Sequence, residues 1–534
     1  MPTQSRPNVL WISLEDTSPR FGCYGDPVAR TPNLDRLARE GCRFTRAFST
    51  AGVCAPSRAA IITGMYATAI GAHHMRTTHA NRETPAMPTP YAAVPPHYVK
   101  AFPEYLRAAG YFCSNNLKTD YQFEAPFTAW DQNGREAHWR HRDGDQPFFA
   151  VFNPTITHES GMWPKPDERL ETDPAAVSVP PYFPDTPVVR ETIARLYDNL
   201  AAADRRVGEL LEQLEADGLA ENTVVFIWSD HGAGLPRGKR WPYDAGIHIP
   251  LIVRWPGHID AGSVRDDLVS LIDLGPTMLR LAGVDVPGHM QGRPFLANDA
   301  PTREYVYAGR DRHDEAYDMV RAVRDTRYKY LRHFRPELPY LPWIPYRNRH
   351  PVMEELWRLY AEDRLEGAQR LLFAPRPVEE LYDTEADPHE IRNLAGVPEH
   401  RATLVRLRSA LADWRREVGD LGELDESQMV ARFWPNGVQP ETAAPIFVPL
   451  APGQWGREPL ASGAISCRAP ALLQLHCATQ GASIGYTLDD GDNPRWRLYT
   501  GPLRLPIGRT RVRAKAIRIG YKESAEGEVA ITVE

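Results

Sequence analysis

Glu15-Asp16 and Asp230-His231 each follow an apolar, strand-like run, residues 8–14 and 224–228. In an open α/β sheet, ligands bind outside the carboxyl ends of the strands. Carboxylate oxygens joined by an imidazole make a hard site suited to a divalent cation. One carboxylate at a strand end is usually a solvated loop residue. Two acidic clusters at two strand ends favour a metal. A third feature is the pentapeptide Cys54-Ala55-Pro56-Ser57-Arg58. Cys54 stands just before an expected helix, with Pro56 suited to its first turn. A helix N-terminus offers free N–H groups and the positive end of a dipole to an oxyanion. Against this, a single cysteine is more often a buried, inert thiol.

The pentapeptide and the following Ala59-Ala60-Ile61-Ile62-Thr63-Gly64 resemble the core motif of the type I sulfatases, within the alkaline phosphatase superfamily. The resemblance implies that a formylglycine-generating enzyme oxidises Cys54 to formylglycine. One hydroxyl of the aldehyde hydrate would then attack sulfur, an alcohol or amine would leave, and the second hydroxyl would drive sulfate out. It also implies one divalent cation held by Glu15, Asp16, Cys54, Asp230 and His231, with calcium (Ca2+) first and manganese or magnesium as alternatives. Two departures bear on that cation. The family's first pair is normally two aspartates, and here it is Glu15-Asp16. The second pair is often Asp-Asn, and here it is Asp230-His231, whose nitrogen opens manganese. An Asp-His pair also occurs in bacterial sulfatases and in phosphonate monoester hydrolases.

Further roles follow from the same resemblance. Arg58 would hydrogen-bond the nucleophile or the metal-bound oxygens. Lys118 and Lys239 would cradle the sulfate, and His158 would be the general acid on the leaving group. Lys118 stands in Lys118-Thr119-Asp120, where the family has K-x-H, so a histidine contact is missing. His73, His74 and Arg76 would contact the group that carries the sulfate. Asp311, Arg312 and His313 would close the pocket from a second subdomain. Across residues 8–420 the layout is most similar to the sulfamidases, through residues 179–187, Pro236-Arg237-Gly238-Lys239, and Leu381-Tyr382-Asp383 with Asp387-Pro388-His389-Glu390. A sulfate ester or sulfamate on a sugar, as a small molecule or oligosaccharide, is the leading substrate. The rivals are a phosphonate or phosphate ester hydrolase of the same superfamily and a non-catalytic glycan-binding protein.

These residues need a scaffold. The chain has 534 residues, 42% hydrophobic and 25% charged, enough for two or three domains with large cores. A net charge of −7 and the lack of a long basic run exclude a nucleic-acid binder. The same charge repels anionic substrates at long range, so a sulfate site must carry its own positive charge. No apolar run is long enough to span a membrane. Residues 1–7 lack the apolar region and cleavage site of a secretory signal, which sets a cytoplasmic expectation, or a periplasmic or secreted one if a signal has been removed. Six sparse cysteines argue against a disulfide scaffold. Cys467 and Cys477 are close enough in sequence to pair, and two thiols are the favoured reading.

The expected fold class is α/β, an alkaline-phosphatase-like, mostly parallel sheet sandwiched by helices. Strands are expected at residues 8–14, 111–114, 148–152, 224–228 and 249–255. Helices are expected at 31–40, with Thr31 as N-cap, and at about 188–217. Residues 1–300 read as the catalytic domain. Residues 301–424 read as a C-terminal subdomain with a small antiparallel sheet and a helix at about 399–418. Residues 425–460, with many Pro and Gly, read as a linker. Residues 461–534 alternate with period two and read as an all-β accessory domain of the kind carbohydrate-active enzymes carry.

Overall fold

The computed structural model describes residues 6–166, 168–296 and 302–534. The expected domain boundary at 300 and 301 lies outside them, as do the first five residues. The central sheet is built from β1 (Asn8–Leu14), β2 (Cys42–Phe48), β3 (Phe112–Asn116), β4 (Gln132–Asn133), β5 (Phe148–Phe152), β6 (Thr223–Ser229), β7 (His248–Arg254), β8 (Ser263–Arg265) and β9 (Val269–Ser270). The spatial order is β4-β3-β5-β1-β6-β7-β2-β8, with β9 also on β2. Pairing is parallel from β4 through β6, and β7 runs antiparallel to both β6 and β2.

Strands covered on both faces read as continuous apolar runs rather than alternating ones. In β1, Val9 and Trp11 face one core and Leu10, Ile12 and Leu14 face the other. The first core is closed by α2 (Cys54–Thr63) and α3 (Phe102–Ala108), the second by α1 (Pro32–Glu40) and the 30-residue α4 (Pro187–Ala216). Thr31 does occupy the N-cap position of α1, but its hydroxyl caps no helix amide. It accepts from Gly22 N at 2.9 Å instead, tying down the preceding loop.

The subdomain is a four-stranded antiparallel sheet of β10 (Val306–Arg310), β11 (Val320–Arg324), β12 (Tyr328–His333) and β13 (Glu379–Asp383), backed by a helix at Arg401–Val418. It meets the catalytic layer beside α2, where Gly309 N donates to Thr50 O at 2.9 Å and Gly309 bridges Ala51.

Residues 425–460 are structured rather than a linker. Asp425 caps a helix at Glu426–Phe433, and Ile446–Leu450 is a strand paired with Ala471–His476. Glu426 is buried and accepts from Arg312, Tyr91 and Tyr317. Proline and glycine density hid a two-turn helix whose apolar face is only Met429 and Phe433. The C-terminal module is a sandwich of three- and five-stranded sheets around Phe447, Leu473, Val512 and Ile531. It is fastened to the catalytic layer by Lys100 Nζ on Gly481 O (2.6 Å) and Arg107 Nη2 on Trp496 O (2.6 Å). All six cysteines are free thiols. Among the described residues no helix is long and apolar enough to cross a membrane.

Candidate active site

Cys54 is the first residue of α2, after Val53 in extended conformation, and every residue of that helix is buried. The rest of the pentapeptide splices the helix to the strand ends. Ser57 Oγ donates to Asp230 O at 2.6 Å. Arg58 donates Nε to Asp230 Oδ2 (2.9 Å), Nη1 to Asn153 Oδ1 (2.9 Å) and Nη2 to Ser13 Oγ (3.4 Å). Arg58 therefore hydrogen-bonds the strand ends, and Cys54 is not among its hydrogen-bond partners. Of the two expected partners, the nucleophile or the oxygens of the metal ligands, the bond to Asp230 Oδ2 is of the second kind.

The acidic residues at the ends of β1 and β6 converge on the same point. Asp16 turns with φ of 52°, a left-handed conformation that Asp tolerates better than most residues and that collects at functional sites. The turn leaves Asp16 Oδ1 2.9 Å from His231 Nε2 and lets Asp16 Oδ2 accept from Lys239 Nζ and Glu159 N, both at 2.7 Å. The His231 ring is oriented by Nδ1, 3.0 Å from Gly232 O, which leaves Nε2 for the site. Glu15 accepts from Lys118 Nζ. Ligand atoms of Asp16, Cys54 and His231 lie within 4.8 Å of one another, as do those of Glu15, Cys54 and Asp230. Cys54 belongs to both groups, and all five residues are buried.

Three carboxylates and an imidazole nitrogen fit one hard divalent cation, the side chain at position 54 completing the set. The electrostatics agree. Burial opposes ionisation of Asp16, but Lys239 and His231 hold it well below the usual carboxylate range. Asp230 is likewise held down, against burial, by Arg58 and His231. Burial disfavours a charged His231, yet Asp230 and Asp16 raise it to about 10 in the protein's own field. Such carboxylates stay ionised and strongly attract positive charge.

Lys118 and Lys239 reach the same point from the ends of β3 and β6. Both are kept charged against burial, Lys118 by the side chain of Cys54 and by Glu15, Lys239 by Asp16 and Cys54. Asp120, where a histidine was expected, sits 3.7 Å from Lys118. His158 follows β5 and is half-buried. The Ser160 amide donates to its Nδ1 at 3.3 Å, so the proton of the neutral ring is on Nε2. Burial, followed by Lys239, lowers its pKa.

Arg76 reaches the site, its Nε 2.6 Å from Asp314 Oδ1 and its guanidinium 5.3 Å over the Tyr346 ring. His73 and His74 do not accompany it. They are 2% and 5% exposed, their ring centroids lie 4.3 Å apart with the planes tilted by 49°, and His74 Nδ1 accepts from Arg312 N. Their surroundings are Arg312, Arg321 and Asp311, so they pack the seam with the subdomain rather than contact a substrate. Asp311 and Arg312 are used up too, Asp311 by Arg321 and Arg312 by Glu426. His313 is buried with neither ring nitrogen bonded, and Asp314 is the residue of this turn that reaches the pocket.

Sequence reasoning passed over Asn153, Glu159, Arg240, Asp314 and Tyr346. Arg240 pairs with both oxygens of Glu159, and Tyr346 lies 6.4 Å from His158 and 5.3 Å from Trp163. Asn153 and Arg240 adjoin residues already singled out at the strand ends. Tyr346 comes from a long connection between β12 and β13 and carried no signal.

The family model described as Sulfatase matches residues 7–134 and 137–284, and that described as N-sulphoglucosamine sulphohydrolase, C-terminal, matches residues 237–344. An ulvan-active sulfatase of Formosa agariphila is 42% identical over 97% of this chain and 90% of its own length. The N-sulphoglucosamine sulphohydrolase of Homo sapiens is 29% identical over 78% of this chain and 91% of its own. A structure solved in complex with its substrate, D-glucosamine-2-N,6-O-disulfate, has a TM-score of 0.55 and 19% identity over 79% of this chain and 100% of that one, a likeness of fold.

Proposed function

The chain belongs to the sulfatase family, and we propose that it removes sulfate from a sulfated polysaccharide or its fragments, with position 54 as nucleophile and calcium as the metal. The observation that carries this is Cys54 standing in both groups of candidate metal ligands. Support for a polysaccharide substrate comes from the ulvan-active relative, whose match takes in the C-terminal sandwich as well.

Sulfatases generally use a formylglycine and a divalent metal. With formylglycine at position 54, its hydrate supplies the attacking hydroxyl. Glu15, Asp16, Asp230 and His231 would hold the cation, which would supply positive charge to offset the negative charge of the sulfate.

The remaining work falls to the chain's own residues. Arg58 fixes the position of Asp230 and ties α2 to the strand ends. Lys118 and Lys239 bring fixed ammonium groups to the sulfuryl oxygens, whose negative charge spreads in the transition state. Free amides at the N-terminus of α2 act in the same direction. In its imidazolium form, His158 gives the Nε2 proton to the departing oxygen or nitrogen, which a sugar alcohol or amine needs, and is left as the neutral ring.

The test is turnover of an aryl sulfate, a sulfamate and a phosphonate ester by protein made alongside a formylglycine-generating enzyme. Sulfate or sulfamate cleavage well above phosphonate cleavage is expected. Cleavage of phosphonate alone would move the chain to the phosphonate hydrolases, and glycan binding without cleavage would make it a binding protein.

A further inference from the structure

Cations, most of them buried, outnumber their carboxylate partners beside this site. Arg58 has Asp230, Lys118 has Glu15, Lys239 has Asp16, Arg240 has Glu159 and Arg76 has Asp314. Arg310 and Arg376 must share Asp318, each at 3.0 Å. Arg347 is left over. It is 2% exposed, and among the described residues it makes no ion pair. Its Nη2 donates to Pro342 O (2.6 Å) and, at 3.5 Å, to Asn348 Oδ1, while its Nε has no partner among the described residues. Burial, with Arg240 and Arg310 close by and only partly offset by Glu159 and Asp314, pulls its pKa down to about 9, and burial, against Asp318, pulls Arg310 to about 10.

Buried donors are left over around Arg347. Among the described residues, Nη2 of Arg310 and Nε2 of His350 are buried without a hydrogen-bond partner, and Nε of Arg240 has only Asp314 Oδ2, at 3.8 Å. His350 Nδ1 accepts from Val352 N, so its orphan Nε2 is also a donor. A buried charge lacking its partner is costly, and so is each unpaired buried donor. An oxyanion would relieve both costs, since guanidinium groups match carboxylate and sulfate oxygens two at a time.

The position is next to the chemistry. Tyr346, the preceding residue, lies between His158, Trp163 and Arg76. Arg240 N donates to Gly52 O at 2.5 Å, two residues before Cys54.

Resting on the sulfatase reading, we propose that Arg347, with Arg310 and Arg240, forms a subsite for a second acidic group of the substrate, a carboxylate or sulfate on the sugar chain near the sulfate that is cleaved. The enzyme then prefers polyanionic sugars to singly sulfated neutral ones.

The test uses the full chain carrying Cys54→Ser, which binds without turnover, with and without Arg347→Met, a change of similar bulk that removes the charge. The probes are a sulfated disaccharide with a uronate carboxylate, its carboxyl-reduced counterpart, and glucosamine with one or two sulfates. Arg347→Met should weaken calorimetric binding of the acidic disaccharide about 10- to 100-fold, the usual cost of losing a charged hydrogen-bond partner, and the reduced one less than about threefold. A loss confined to the disulfated glucosamine would identify the second group as sulfate. The unliganded Tm should hold or rise, because a buried unpaired charge has gone. Equal losses on acidic and neutral probes, or a fall in Tm, would mark Arg347 as structural and overturn the subsite. Failure of the Cys54→Ser protein to bind any acidic probe would overturn it too. Aryl sulfate turnover by the parent enzyme then tells whether the sulfatase reading falls with it.

Discussion

Arg58 Nε lies 2.9 Å from Asp230 Oδ2, both groups buried, and this pair joins the helix that carries Cys54 to the end of β6. Removing one partner of a buried ion pair leaves the other charged and unsolvated, at a cost of about 3–5 kcal/mol. Arg58→Ala should therefore lower the denaturant midpoint as well as activity. Arg58→Lys should keep the charge but lose the bonds to Asn153 and Ser13, which a single ammonium cannot span together with Asp230. Denaturant melts paired with aryl sulfate assays check the order: wild type, then lysine, then alanine.

The metal set predicts a stoichiometry. Wild-type protein should hold one divalent cation per chain, with calcium expected by elemental analysis. Asp16→Asn and Asp230→Asn should each lower bound metal, and chelation should abolish turnover. Asp16→Asn has a second effect, because Lys239 loses its nearer carboxylate partner, at 2.7 Å, and keeps only Glu159 at 3.2 Å. Protein that is fully active and free of divalent metal would remove this site.

His158 predicts a dependence on leaving group. A sugar alcohol or amine needs a proton as it departs, and nitrophenolate does not. His158→Ala should reduce kcat on a sugar sulfate by about 10²–10⁴, the usual range for general acid catalysis, and on nitrophenyl sulfate far less. Equal losses on both would leave His158 as a sulfate ligand only.

His350 predicts an acid limb of stability. Burial, moderated by Glu159 and reinforced by Arg240 and Lys239, holds it at about 4 against an ordinary 6.5. Between those values the unfolded chain binds more protons than the folded one, so stability falls as pH drops from 6.5 towards 4. At 1.36 kcal/mol per unit the full loss is about 3 kcal/mol. His350→Asn, which can still cap Val352 N, should flatten that limb in melts run from pH 4 to 7. A limb unchanged by the substitution would assign it to His74 and His313, which burial also holds low.

The residues legible in the sequence were those whose position follows from a strand end. Glu15, Asp16, Lys118, His158 and Asp230 each follow a short apolar run that both cores bury, so the strand ends place them along one edge, while the resemblance to the sulfatases singled out Lys118 and His158. Asp314, Tyr346 and Arg347 enter through turns and a connection between β12 and β13, whose path depends on tertiary packing. His73 and His74 misled because adjacency to the nucleophile helix does not say which way a loop turns. Here Met75 N bonds Arg312 O and folds the pair against the subdomain. The segment 425–460 misled for a compositional reason: one buried glutamate anchors its helix to Arg312, and hydropathy does not register an ion pair.

Mass spectrometry of the tryptic peptide that spans residues 47–58 of active enzyme tests the central claim most directly. At position 54 the account predicts a residue in which one sulfur and two hydrogens of cysteine are replaced by one oxygen. Its occupancy should track specific activity across preparations made with and without the formylglycine-generating enzyme. Full activity in protein that carries only the unmodified thiol at position 54 would contradict it.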